Sequence, residues 1–213
     1  MTVRSFNGME ELGMLTDKQL DAANEYGEWL RRAVHERELP GGGRIRASAA
    51  CFLIAQDHHH AIVVSLDARC FASVFALVRV IFEAYVRGAW LSLCATDAEV
   101  EAFLTGTEPP SPGIMLAAIE QRPGFQEMIL SHIKATTWKS MCAYTHTGGL
   151  HVQRWMTKDG IGPNYSVDEI LEVLRFAEVI ASLSVLGVLA LARDDVAAKQ
   201  VLERYELRMS RPA

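Results

Sequence analysis

Arg79, Glu83 and Arg87 stand four residues apart in an otherwise apolar stretch, and His146 and His151 bracket a Thr-Gly-Gly break in YTHTGGLH, residues 144–151. These are the groups through which this chain could do chemistry. Four-residue spacing puts the three charges on one helical stripe, with Glu83 in reach of an arginine on each side. Buried charge is costly unless it is paired and hydrogen-bonded. An Arg-Glu-Arg triad meets that condition and leaves one positive charge over. Two outcomes stay open. The triad is an ion-pair ladder that fixes helix register, or its spare arginine faces a cavity and holds an anion while Glu83 orients it.

The histidine corner has the same two-sided character. Gly148 and Gly149 stop a helix, because glycine accepts the left-handed conformation at a helix C-terminus. His146 then falls in the last turn, where an imidazolium suits the helix dipole. His151 and Arg154, three residues apart, can face the same way. The corner is a simple helix stop, or it is a pocket rim with Tyr144, His146, His151 and Arg154 as donors to a phosphate or similar anion. On the second reading His146 is the general acid-base group. Arg79 or Arg87 is then the charge partner in the transition state, and Glu83 positions it.

Three further histidines, His58, His59 and His60, look like a metal cluster but are not one on a helix. Neighbours there point about 100° apart. The apolar pattern makes His58 the first inward candidate and the one to count with the binding residues; His59 is the second, and His60 faces solvent. No His-x-x-x-His or Cys-x-x-Cys pair occurs anywhere in the chain, so neither metal nor cofactor is expected. Cys51, Cys70, Cys94 and Cys142 have no metal or redox spacing. They are expected as buried free thiols.

The elements that must position these groups are all helical. Helices are expected over about 16–38, 44–67, 70–95, 97–104, 112–121, 125–144, 166–193 and 194–209, with a short turn over 150–156. The sequences TDKQ, TDAE and SVDE supply capping boxes at 16, 96 and 166. PGGG at 40–43 and TGTEPPSPG at 105–113 are breaks. No strand alternation stands out. The fold class is all-α: one antiparallel helical bundle over residues 16–209, preceded by an N-terminal segment over 1–15. The stretch from 70 to 95 is apolar on nearly every side and should be the central buried helix.

A chain of 213 residues with half its residues apolar and a net charge of -5 suits one globular domain and provides no general basic field for nucleic acid. Any RNA contact would rest on a local patch. The N-terminus has no apolar signal-like stretch, so a cytoplasmic protein is expected. Val179–Ala192 is 14 residues without a charge, shorter than the roughly 20 a spanning helix needs, which favours a core helix over a membrane segment.

The pairing of RVIFEAYVRGAWL with a later YTHTGGLH resembles a family of uncharacterised bacterial all-helical proteins sharing an Arg-x-x-x-Glu helix and a Tyr-Thr-His-Thr-Gly corner. The resemblance covers about residues 50–190. More distantly, a bundle with an Arg/Glu/His centre is similar to the HEPN superfamily. That likeness implies metal-independent ribonucleases of toxin-antitoxin and phage-defence systems. The HEPN signature is an arginine and a later histidine with four to six residues between them, and no such pair occurs here. Two functions are therefore carried forward. One is a HEPN-like protein whose cleft accepts an anion or RNA and cuts RNA without metal. The other is a non-catalytic bundle that binds a partner protein or a small ligand. The partners expected are RNA or a nucleotide, a partner protein, and a second copy of the chain in a homodimer.

Overall fold

The structure is a computed structural model that describes residues 2–3, 15–158 and 160–210. Most of the N-terminal segment expected over 1–15 lies outside the described residues. Among those described, nine helices form a single bundle: α1 (Asp17–Val34), α2 (Gly43–Asp67), α3 (Phe71–Leu93), α4 (Asp97–Leu104), α5 (Pro112–Ile119), α6 (Ile129–Thr145), α7 (Gly149–Gln153), α8 (Val167–Ala192) and α9 (Asp195–Met209). Three two-residue strands, β1 (Thr2–Val3), β2 (Met156–Thr157) and β3 (Gly160–Ile161), form a small sheet. Its order is β1-β3-β2, with β1 parallel and β2 antiparallel to β3. Strands this short are below the length at which alternation can show in a sequence.

The helix starts follow local chemistry. Thr16, Thr96 and Ser166 each accept the backbone N–H three residues on, and Gln19, Glu99 and Glu169 each reach back to the cap backbone. Each box satisfies amides that the first turn leaves free. Helix α6 has no such cap of its own. The carboxylate of Glu120, at the end of α5, accepts from both the amide and the hydroxyl of Ser131. A negative charge belongs at that end of a helix dipole.

Helices α3 and α8 run through the centre. Of the 23 residues of α3, 14 are buried, as the apolar pattern on all sides of it requires. Helix α8 packs against α1, α2, α3 and α9. By length and composition α8 is apolar enough to cross a membrane, but 56% of its most apolar window is buried inside the bundle. The expected 14-residue limit does not hold, because the helix runs on through Glu178 and buries that side chain as well.

One aromatic ring keys the three long helices together. Phe52 of α2 lies between Gly88 of α3 and Gly187 of α8. A Cβ at either glycine would come within 2.7 Å and 2.6 Å of ring carbons, closer than packed atoms tolerate. Arg44 ties the far end. Its Nη1 donates to the carbonyls of Leu91 and Ala95, at 2.7 and 2.6 Å, and its Nη2 to Asp97. The last carbonyls of α3 thus receive a cation.

The inward face of α2 carries Phe52, Ala55, Gln56, His59, Ile62 and Leu66. His59, at 1% exposure, is therefore the buried histidine of the triplet; His58 is half-buried and His60 exposed. The expected order of His58 and His59 is reversed because Ile54, counted with the apolar arc, is half exposed. That rotates the true face by one residue. The thiols also differ from expectation. Only Cys51 is buried, while Cys70 is exposed and Cys94 and Cys142 are intermediate.

Candidate functional site

Helix α3 brings its charged stripe to the edge of the bundle beside α6. Arg79 donates from Nε to Glu83 Oε1 at 2.8 Å, and Arg87 donates from Nη2 to Glu83 Oε2 at 3.0 Å. Glu83 is buried, while the side chains of Arg79 and Arg87 keep 22% and 33% of their surface. The stripe is thus a buried carboxylate between two arginines whose heads reach solvent. Glu83 contacts both, as the spacing expects; the arginines are less buried than the apolar helix implies, because long basic side chains carry their heads outward.

The corner supplies the next group. Arg79 Nη1 lies 2.7 Å from His146 Nε2, across 67 residues of sequence. A guanidinium can only donate. The lone pair is therefore on Nε2 and the ring proton on Nδ1. The same guanidinium sits 4.9 Å from the centroid of Trp138, and Lys134 Nζ lies 5.5 Å from that ring. Both cations are within reach of the tryptophan π system. Arg79 Nη2 and Lys134 Nζ make no hydrogen bond or ion pair within the protein among the described residues. Arg79 Nη2 is thus an unspent donor beside an exposed imidazole, and Lys134 is a second unspent cation further up α6, on the other side of Trp138 in sequence.

The corner stops α6 in a way the glycines alone do not explain. The left-handed residue is Thr147, with φ 53°, and not Gly148 or Gly149. The Gly148 amide reaches back to the Ala143 carbonyl at 2.7 Å, the six-to-one bond of a Schellman stop. Gly148 is needed for a different reason. A Cβ there would meet Ala143 Cα at 3.1 Å, while a Cβ at Gly149 would meet nothing within 4 Å. A β-branched residue in the left-handed region is strained, and this strain sits directly beside His146.

The other corner residues turn inward. His151 is 7% exposed. Its Nδ1 lies 2.8 Å from the Tyr144 carbonyl and its Nε2 3.1 Å from the Tyr165 hydroxyl. Both ring nitrogens are occupied, so His151 holds the corner to the loop before α8 and does not join the rim. Arg154 pairs with Glu169, and its hydrogen bond with the Tyr144 side chain raises its pKa further. Burial raises the Tyr165 hydroxyl as well. Tyr144 stands edge-on to Phe75 and to His151. His58 lies on α2, and burial lowers its pKa.

Of the expected site residues, Arg79, Glu83, Arg87 and His146 form one connected chain of contacts. Tyr144, His151 and Arg154 form a second, structural one. Trp138 and Lys134 join the site without a motif to mark them; the only sequence signal is their four-residue spacing on one helix face. Among the described residues no group of three or more His, Cys, Asp or Glu side chains converges as a metal site.

Residues 52–207 match a protein-family model, DUF6988, described as a family of unknown function. The matched span contains every residue of the Arg79–His146 site. No curated protein and no solved structure matches the chain.

Proposed function

As the chain belongs to the DUF6988 family, whose function is unknown, we propose from the site alone that it binds RNA at the Arg79–His146 pair and cleaves it without a metal ion. One observation carries this reading: Arg79 Nη1 rests on His146 Nε2 at 2.7 Å on an exposed edge of the bundle. The HEPN-like resemblance lends it a precedent of type. Here arginine and histidine are joined across α3 and α6 and not by a short spacing in one helix.

In the free protein Arg79 occupies the imidazole lone pair. A phosphodiester is a stronger acceptor for a guanidinium than a neutral ring is. On binding, Arg79 would move its hydrogen bond to a non-bridging phosphate oxygen and release Nε2. The freed Nε2 then takes the proton of the ribose 2′-hydroxyl. The 2′-oxygen attacks phosphorus, the bond to the 5′-oxygen breaks, and the proton held on His146 passes to that oxygen. The products are a 2′,3′-cyclic phosphate and a 5′-hydroxyl. Arg79 offsets the charge that builds on the phosphoryl oxygens, and Lys134, further along α6, is placed to meet a neighbouring phosphate of the strand. Glu83 keeps Arg79 from turning to solvent.

The test is cleavage of a single-stranded RNA in the presence of a chelator. Cleavage should persist, yield cyclic phosphate ends, and fall at least about a hundredfold in His146→Ala and in Arg79→Ala, the usual scale for losing one acid-base or charge-stabilising group. Cleavage by the wild type that the His146→Ala variant retains, or no cleavage and no RNA binding at low salt, overturns the proposal.

A further inference from the structure

Between α3, α6 and α8 opens a groove of about 230 Å³ that contains none of Arg79, Glu83, Arg87 or His146. Its floor is apolar, and Phe75, Tyr144 and Phe176 contribute aromatic side chains. No lysine, arginine or histidine lines it. Among the polar groups that line it, the threonines and glutamates offer acceptors, and the Ser140 and Tyr144 hydroxyls can donate as well as accept. Thr136 and Thr137 spend their hydroxyl protons on the carbonyls of His132 and Ile133, at 2.9 and 2.7 Å, so both present lone pairs. Glu169 is neutralised by Arg154 and engaged in the cap of α8. Glu172 is exposed and makes no ion pair or hydrogen bond among the described residues. The groove therefore combines an aromatic floor, a row of acceptors and one unspent negative charge.

We infer that this groove binds a small primary amine in its ammonium form, carrying a single aromatic ring or an apolar group of similar size. The ammonium donates to Glu172 and to the threonine lone pairs, and the apolar part lies on the aromatic floor. The size follows from the volume. A dry cavity of about 150 Å³ admits a benzene ring, so this one has room for a ring and a short aminoalkyl chain. An anion of the same shape meets the like charge of Glu172 and finds only the Ser140 and Tyr144 hydroxyls to donate to it, and a neutral alcohol keeps a hydrogen bond to Glu172 but loses the charge attraction. This site is independent of the RNA reading and survives its failure.

The experiment titrates the whole protein with 2-phenylethylamine, phenylacetate and 2-phenylethanol, followed by calorimetry and by chemical-shift changes. The amine should saturate with shifts confined to α3, α6 and α8, and phenylacetate should not bind. Glu172→Gln should weaken the amine about threefold to fivefold, the range for one solvent-facing charge pair, with an unchanged melting temperature because Glu172 is exposed. Phe176→Leu removes part of the aromatic floor, and should weaken the amine and any phenylethanol binding by the same factor. No saturation by the amine at 10-millimolar order (~10 mM, a Kd above the weak end of specific ligands), equal binding of phenylacetate, or an amine affinity untouched by Glu172→Gln each overturns the inference.

Discussion

Glu83 and Glu178 are both buried carboxylates held by arginine, at 8% and 1% exposure, yet the two pairs occupy the molecule differently. Glu83 takes its partners from its own helix, one four residues before it and one four after. Its arginines keep contact with solvent, and one of them passes on to His146. Glu178 takes a single partner from another helix. Arg208 of α9 donates Nη2 to Oε1 at 2.7 Å and Nε to both oxygens. Arg208 also lies 5.9 Å over the Tyr26 ring, and Tyr26 bonds Ser182 at 2.7 Å. Burial still raises the Glu178 pKa, with Arg208 acting against it. An intrahelical stripe leaves its ends free to meet a ligand. A pair between helices is consumed in holding them together.

Removing Arg208 should have the largest effect on this contrast. Arg208→Ala leaves Glu178 buried without its cation and should cost about 3–5 kcal/mol in urea unfolding. A loss below about 1 kcal/mol would put the two pairs in the same class. Acid should act next, and on the same side of the bundle. Burial, with Arg31, His60 and Arg208 nearby, lowers the His59 pKa to about 4. The unfolded chain, with an ordinary histidine near 6.5, takes up that proton first. Stability is therefore whole above about pH 6.5 and falls as the pH drops toward 4, by at most about 3 kcal/mol from this group. His59→Gln should remove that part of the slope when unfolding midpoints at pH 7.5 and pH 5, chosen as about one unit above and between the two values, are compared. On the α3 side the effects should be smaller. Glu83→Ala frees two arginines that can turn to water, and should cost about 1–2 kcal/mol; a loss above about 3 kcal/mol would erase the distinction drawn here. His146→Ala should cost less than about 0.5 kcal/mol, because the ring is an exposed cap, whatever it does to RNA.

The helices were legible because their signals are local. The three capping boxes begin α1, α4 and α8 where the residues say. The Arg79–Glu83–Arg87 ladder is likewise intrahelical, so spacing alone reveals it. What could not be read is whatever depends on a second element. His151 looks like a rim donor until Tyr165, fourteen residues on, occupies its Nε2. Glu178 looks like the charged boundary of an apolar run until Arg208 covers it. His59 displaces His58 as the buried residue through a rotation of about one residue, within the blur that Ile54 introduces into the apolar pattern. Thr147 in the left-handed position breaks the preference that pointed to glycine.

The ring of Phe52 between Gly88 and Gly187 also decides which parts of the bundle can move. Helices α2, α3 and α8 cannot slide past one another without withdrawing that ring, so the amide hydrogens around it should be among the slowest of the bundle to exchange. Helix α6 is outside this lock and buries just Leu130 and Met141 along its length. Its hydrogen bonds should open at a lower free energy than those of the three locked helices, which hydrogen exchange would show as faster exchange in α6. Since α6 carries Trp138 toward Arg79 and Thr136, Thr137 and Tyr144 toward the groove, a helix outside the lock borders both candidate sites.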